Sequence, residues 1–227
     1  MHEWVHRRES YLKQILARES LSNNGLCTSC KQPGGLWRCR DCLGSWALCR
    51  ECCRETHQWL PFHRIEFWTG SYYEPDWLCN IGSHIDLGHG GSPCPNRTTN
   101  HLSPEGSTAG IYRSPSGIVD RPDGCDSMII GHTNGFHKIW VKQCSCYTSS
   151  DSDYVREEAH LLAFGLYPLS FTKIQSAFTF DLLDGLRLAN LEGKVSVYHY
   201  EKILRRLTSK LSPAAAPVGN PDIYLYG

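Results

Sequence analysis

CTSCKQPGGLWRCRDCLGSWALCRECCRETHQWLPFH, residues 27–63, decides how this chain folds. It holds three Cys-x2-Cys pairs, Cys27/Cys30, Cys39/Cys42 and Cys49/Cys52, followed by His57 and His63. Two thiolates separated by two residues can face one ion, because a tight turn brings them together. Zinc takes four such ligands in a tetrahedron. Eight ligands in one short stretch therefore make two sites, and a disulfide framework has no need of this spacing. Two pairings satisfy the count. A sequential one puts Cys27, Cys30, Cys39 and Cys42 on one ion. A cross-brace puts Cys27, Cys30, Cys49 and Cys52 on one ion, and Cys39, Cys42, His57 and His63 on the other. Cys53 adjoins Cys52, but the spacing from Cys49 selects Cys52, which leaves Cys53 as a small buried thiol.

The rest of the composition agrees with metal. The chain has 227 residues, 12 of them cysteine and 11 histidine. Neither a long apolar segment nor an apolar stretch near MHEWVHRRES at the N-terminus suggests a membrane helix or a secretory signal. An intracellular, reducing compartment is the expectation, and there thiols serve metals rather than disulfides. Lysine plus arginine number 23 and aspartate plus glutamate 23, a formal charge of zero. That balance argues against a polycation that coats nucleic acid. Within the finger, Lys31, Arg38, Arg40, Arg50 and Arg54 stand against Asp41, Glu51 and Glu55. They either contact DNA or screen an anionic thiolate site, and the second reading is favoured.

Outward from the finger, Trp4, Tyr11 and Ile15 recur at helical spacing with Val5, Leu12 and Leu16, giving an amphipathic helix over 3–19. IEFWTGSYYEPDWL (65–78) is rich in strand formers, and 88–124 reads as loop. Two apolar runs flank HTNGFHK (132–138), with Asn134-Gly135 as a hairpin signal. Helices are expected over 154–164, over 180–191 capped by Thr179, and over 197–209 capped by Ser196. Leu182, Leu183 and Leu186 should face inward, as should Tyr200, Ile203, Leu204 and Leu207. These readings divide the chain into an N-terminal helix (1–25), a double-zinc finger (26–68), a β-rich region with a third cysteine cluster (69–150), a helical region (151–211) and a tail (212–227) expected to be disordered.

The third cluster is less marked. LGHGGSPCP supplies His89 and Cys94, and KQCSCY supplies Cys144 and Cys146. These four would complete a tetrahedral site and clip a long loop. On spacing alone, His89 could equally cap a turn and the cysteines could simply be buried. His84, His132 and His137 are weaker ligand candidates, and Cys79 and Cys125 read as structural thiols. Cys125 with His132 would make a nucleophile and base only if an orienting acid and an oxyanion hole were present, and no motif supplies them. Asn96-Arg97-Thr98 is a glycosylation sequon without a secretory context.

The order of ligand types in the finger resembles the B-box and ZZ classes, which are cross-braced, and does not match a RING finger. More widely, the stretches EWVHRRESYLKQILARES, WRCRDC, LCRECC, PFHRIEFW, LGHGGSPCP, HTNGFHKIWVKQCSC, HLLAFGLYPLS and SAFTFDLLDGLRLANLEGKVSVYHYEKILRRLTS are similar to the cysteine-cluster (CxC-type) domains of fungal KDZ transposases. The resemblance implies an α+β, zinc-stapled fold with a cross-braced finger, a β-rich middle holding a third zinc through His89, Cys94, Cys144 and Cys146, and C-terminal helices. It implies zinc at two sites and a third, a nuclear setting, and partners among transposon DNA, a transposase catalytic region or other proteins. No membrane and no small-molecule substrate are implied. The family usually has glutamine where this chain has Ala159-His160, and proline near Lys173-Ile174-Gln175. In the family an acidic catalytic region follows this part of the chain; here it is expected to be absent, which predicts a non-enzyme. A protein-interaction module without DNA contact is the alternative.

Overall fold

A computed structural model describes residues 2–44, 46–95, 114–144, 146, 157–170, 174–210 and 212–217. The sequon at 96–98 and most of the tail lie outside these residues. The fold mixes helices and strands and divides into two compact units. One is Met1–Ile81 with Arg113–Asp120, the other Gly82–Tyr112 with Arg121–Gly227.

The first unit opens with helix α1 (His2–Ala17). Strand β1 (Trp37–Cys39), helix α2 (Arg50–Thr56), strand β2 (Ile65–Trp68) and strand β3 (Tyr73–Asp76) follow. The strands form an antiparallel sheet in the order β1-β2-β3. Cys39 lies opposite Ile65 and Trp37 opposite Phe67. A bridge between Trp37 and Leu48 brings the approach to α2 onto the sheet. The core is small: Cys27, Trp37, Cys39, Leu48, Cys53, Ile65, Leu78 and Ile81. Thiols take a large share of it. Burying a full aliphatic side chain supplies only about 1.5–3 kcal/mol, so so small a core needs reinforcement.

Polar ties supplement that core. Arg38 pairs with Glu66 at 2.7 Å and with Glu19 at 2.8 Å, stacks on Tyr73 at 3.8 Å, and also donates to the Arg18 carbonyl. Asp76 is buried and accepts from Asn80 Nδ2 at 2.7 Å and from Ser114 Oγ at 3.2 Å. Asp120 donates its N–H to the Asn80 carbonyl and accepts from Arg50 at 2.6 Å. These bonds fasten the returning segment 114–120 to the unit.

The second unit is built on a mixed five-stranded sheet. Its strands are β4 (His84–Asp86), β5 (Asp126–His132), β6 (Gly135–Lys142), β7 (Leu166–Pro168) and β8 (Ser176–Thr179), in the order β4-β6-β5-β8-β7. β5 and β6 form the expected hairpin, with His132 opposite Gly135, so the tight turn falls on Thr133-Asn134. Gly135 has φ +133, and a side-chain carbon there would lie 2.7 Å from Thr208 Oγ1. Only glycine fits so close to the neighbouring helix. β4 runs parallel to β6, and β8 parallel to β5.

Helices α3 (Glu157–Ala163), α4 (Phe180–Gly193) and α5 (Val197–Thr208) belong to this unit. Thr179 caps α4 by accepting from Leu182 N–H, and Ser196 caps α5 by accepting from His199 N–H. Each cap satisfies an orphan donor of the first turn. Leu182 and Leu204 pack with Ile129 and Phe136, and Leu183, Tyr200 and Leu207 flank them. Ile203, expected inward, is 47% exposed, because it lies on the flank of α5 rather than on its sheet-facing side. A 3-10 turn at Pro213–Ala215 follows, and Ala216 is buried. Among the described residues no helix is long and apolar enough to cross a membrane.

Candidate metal centres

The first centre gathers Cys27, Cys30, Cys49 and Cys52. Thr28 N–H donates to the Ala47 carbonyl at 2.7 Å, which lays the first Cys-x2-Cys turn beside the start of α2. Cys49 caps α2, its sulfur accepting from Cys52 N–H, so this pair sits where a helix N-terminus favours negative charge. Cys30 Sγ lies 3.8 Å from Cys49 Sγ. Burial works against ionising Cys27, but backbone N–H groups of Cys49, Cys30 and Ser29 outweigh it and bring its pKa down to about 6. Cys49, by contrast, is pushed up to about 12, chiefly by burial. Four thiolates so close repel one another, and a divalent cation is what would make their joint ionisation favourable.

The second centre gathers Cys39, Cys42, His57 and His63. β1 delivers Cys39, and its pairing with β2 draws His63, just before β2, to the same place. α2 delivers His57 from its C-terminal end, so one short helix serves both centres. Cys39 and Cys42 each lie 3.4 Å from His63 Nδ1, and Cys42 lies 3.5 Å from His57 Nε2. His57 Nδ1 is 2.7 Å from the Cys53 carbonyl. That contact fixes Nδ1 as the donor and leaves Nε2 free to ligate. Burial lowers the His57 pKa, which keeps the imidazole neutral. Cys39 is pushed up to about 12, chiefly by burial. The grouping over the two centres is the crosswise one.

Beside the second centre, Asp41 accepts from Arg64 Nη2 at 2.6 Å and from Arg64 N–H at 2.6 Å. It thereby joins the loop between Cys39 and Cys42 to the residue after His63. Burial opposes its charge, but the Arg64 bonds prevail and hold its pKa below the ordinary carboxylate value. No spacing rule pointed to this clamp. Cys53, within α2, is fully buried, which drives its thiol pKa upward, and it belongs to neither group.

The third centre gathers His89, Cys94, Cys144 and Cys146. The parallel pairing of β4 with β6 sets Asp86 beside Lys142, and Leu87 N–H donates to the Lys142 carbonyl at 2.8 Å. The chain leaving β4 and the chain leaving β6 therefore arrive together at one end of the sheet. His89 Nε2 lies 3.1 Å from both Cys144 Sγ and Cys146 Sγ. Cys94 Sγ lies 3.8 Å from Cys144 Sγ and 3.4 Å from Cys146 Sγ. Gly88 makes the approach possible: its φ is +89, and a side-chain carbon there would lie 2.9 Å from Cys144 Cβ and 3.9 Å from the His160 ring. His89 itself has φ +46, a left-handed conformation. Such local strain persists where the surroundings impose it.

In all three groups the ligand atoms lie within 4.8 Å of one another. A tetrahedral zinc with Zn–S bonds of about 2.3 Å sets neighbouring sulfurs about 3.8 Å apart. The sulfur separations approach that edge and are far too long for a disulfide bond. Soft thiolate with imidazole is a donor set compatible with zinc. Each group offers four protein ligand atoms, the number that a tetrahedral structural zinc takes.

Among the described residues, the other histidines and cysteines lie outside these groups. His137 Nε2 contacts Asn134 Oδ1 at 2.7 Å and His132 Nδ1 contacts Thr179 Oγ1 at 3.0 Å, so both brace the hairpin and the α4 cap. His84 pairs with Asp86 at 3.4 Å. Cys79 and Cys125 are buried, and burial pushes the Cys125 thiol up to about 11, the opposite of what a nucleophile needs.

Residues 116–212 match the family model described as "CxC2 like cysteine cluster associated with KDZ transposases". The match takes in Cys144 and Cys146 and leaves out the finger, His89 and Cys94. No curated protein and no solved structure matches the chain. Over residues 116–212 the chain is thus similar to the CxC2-like cysteine clusters associated with KDZ transposases.

Proposed function

We propose that this chain is a non-catalytic, zinc-stapled module of KDZ-type transposition machinery. Its twelve ligands, Cys27, Cys30, Cys49, Cys52, Cys39, Cys42, His57, His63, His89, Cys94, Cys144 and Cys146, would hold three zinc ions. The ions shape the protein, and the protein surface does the work, helping the machinery recognise DNA or a partner protein in the nucleus. One observation carries this reading: each cluster closes on four protein ligands. A catalytic zinc needs an open position. DNA cleavage by this chain with magnesium or manganese would overturn the non-catalytic reading.

Two observations weigh partner recognition against DNA contact. Four of the finger's five guanidinium groups are engaged internally, Arg38 with Glu19 and Glu66, Arg40 with Glu66 at 3.5 Å, Arg50 with Asp120, and Arg64 with Asp41, while Arg54 is exposed. A phosphate would have to displace those carboxylates. Large apolar side chains near the second centre are meanwhile exposed, Leu43 at 94% and Trp59 at 68%. These favour a protein-interaction surface. Binding of the zinc-loaded chain to transposon terminal repeats, measured as a function of salt, separates the readings. A steep salt slope supports DNA recognition, and binding to a transposase catalytic region with no DNA retention supports the interaction module.

A further inference from the structure

Helix α1 presents an apolar face interrupted by Arg8. Trp4, Val5, Tyr11, Leu12, Ile15 and Leu16 fall within one stripe of the helix. All six are between 46% and 61% exposed. The helix is held at its C-terminal end, where Arg38 binds the Arg18 carbonyl and the Glu19 carboxylate. A stripe of this size is more than the scattered apolar exposure expected of any protein surface.

We propose that α1 is a dimerisation helix, and that its occupant is a second copy of itself, packed antiparallel about a two-fold axis beside Tyr11. The area argument comes first. Aromatic side chains bury about 150–250 Å² each. Six large side chains covered from half-exposure would remove roughly 600 Å² per copy, so roughly 1,200 Å² in all, the lower limit of a specific interface. Six side chains of this kind rarely stay in water when a matching face is available.

Charge selects the orientation. With the axis beside Tyr11, Glu3 of one copy comes level with Arg18 of the other. Glu9 comes within a residue of the level of Lys13. Each contact occurs twice, because a two-fold interface is self-complementary. Arg8 lies in the middle of the apolar stripe. A parallel, in-register pair would set the two Arg8 side chains against each other. The antiparallel pair separates them by about 7 Å along the axis, and each can lay its methylene stem over the apolar surface with its guanidinium outward. Antiparallel packing also opposes the two helix dipoles.

The test is the mass of the zinc-loaded full chain by sedimentation equilibrium over a wide concentration range. A monomer–dimer equilibrium in the micromolar range is expected. Leu12→Arg should weaken it by at least about tenfold, since it sets a charge at the two-fold axis. Glu9→Lys should weaken it about two- to fivefold, and Glu9→Lys combined with Lys13→Glu should restore it. All three positions are exposed in the monomer, so zinc content and circular dichroism should not change. A chain that stays monomeric throughout overturns the proposal. So does a dimer indifferent to Leu12→Arg, or a charge swap that fails to restore pairing. A monomer that instead sediments with anionic vesicles assigns the face to a lipid surface and equally overturns it.

Discussion

The finger and the sheet unit reach stability by different routes. In the finger the candidate ligands lie within residues 27–63, and two of the buried core side chains, Cys27 and Cys39, are among them, with Cys42, Cys49 and Cys52 packed against that core. Take the ion away and the core loses its organising contacts along with the site. In the sheet unit, Ile129, Phe136, Leu182 and Leu204 form an apolar core that contains no ligand. The third centre sits at the end of β4 and β6, clipping chain segments that the ladder has already brought together. On the proposed reading, metal would be part of the fold in one unit and a staple on a fold in the other.

The largest expected effect tests that contrast directly. A strong chelator should unfold the finger and spare the β5–β6 hairpin. Structural zinc in finger peptides is worth about 10–16 kcal/mol, more than so small a core can replace. Hydrogen exchange should show amides of β1, β2 and α2 losing protection while those of β5, β6 and β8 keep it. Equal loss in both units would break the comparison. Cys39→Ser should reproduce the chelator's effect on the finger alone.

Next in size is the reverse experiment. Leu182→Ala should cost the sheet unit about 2–5 kcal/mol by leaving a cavity beside Phe136, as read by denaturant unfolding followed at Trp140. The finger's metal content should not change.

A smaller effect is expected at Asp41. Its folded pKa is held below the ordinary carboxylate value. Its stabilising contribution is therefore complete above that ordinary value and lost as pH falls through the lower, folded one. Asp41→Asn should cost about 1–3 kcal/mol at neutral pH and remove that share of the acid sensitivity. His57 acts in the same direction at higher pH. Burial lowers its pKa from 6.5, so protonation favours the unfolded finger as pH drops below that value. Smallest of all, Thr179→Ala should cost the sheet unit about 1 kcal/mol through the lost α4 cap, read as a lowered melting temperature with the finger unaffected.

The difference between the units also explains what the sequence could reveal. The finger's eight ligands announce themselves because a tight turn imposes the two-residue spacing. The helix caps at Thr179 and Ser196 are equally legible, being local chemistry. The third centre was open to two readings because its geometry depends on parallel pairing of β4 with β6, a contact between distant segments with a three-residue strand on one side. No periodicity encodes that partner. β8 was not legible for the same reason, since it pairs in parallel with β5. Gly88 left a trace in the glycine-rich LGHGG, but its need for close approach to Cys144 shows only in three dimensions. The apolar face of α1 was plain from its spacing, whereas its lack of cover in the fold was not.

The central claim, that three closed clusters hold three structural zinc ions, is tested most directly by native mass spectrometry of the full chain purified without added metal. The account predicts three zinc ions per chain, falling to two when Cys144 and Cys146 are both changed to serine, with the finger still folded. A chain that carries no zinc, or that keeps three after that double change, would contradict it.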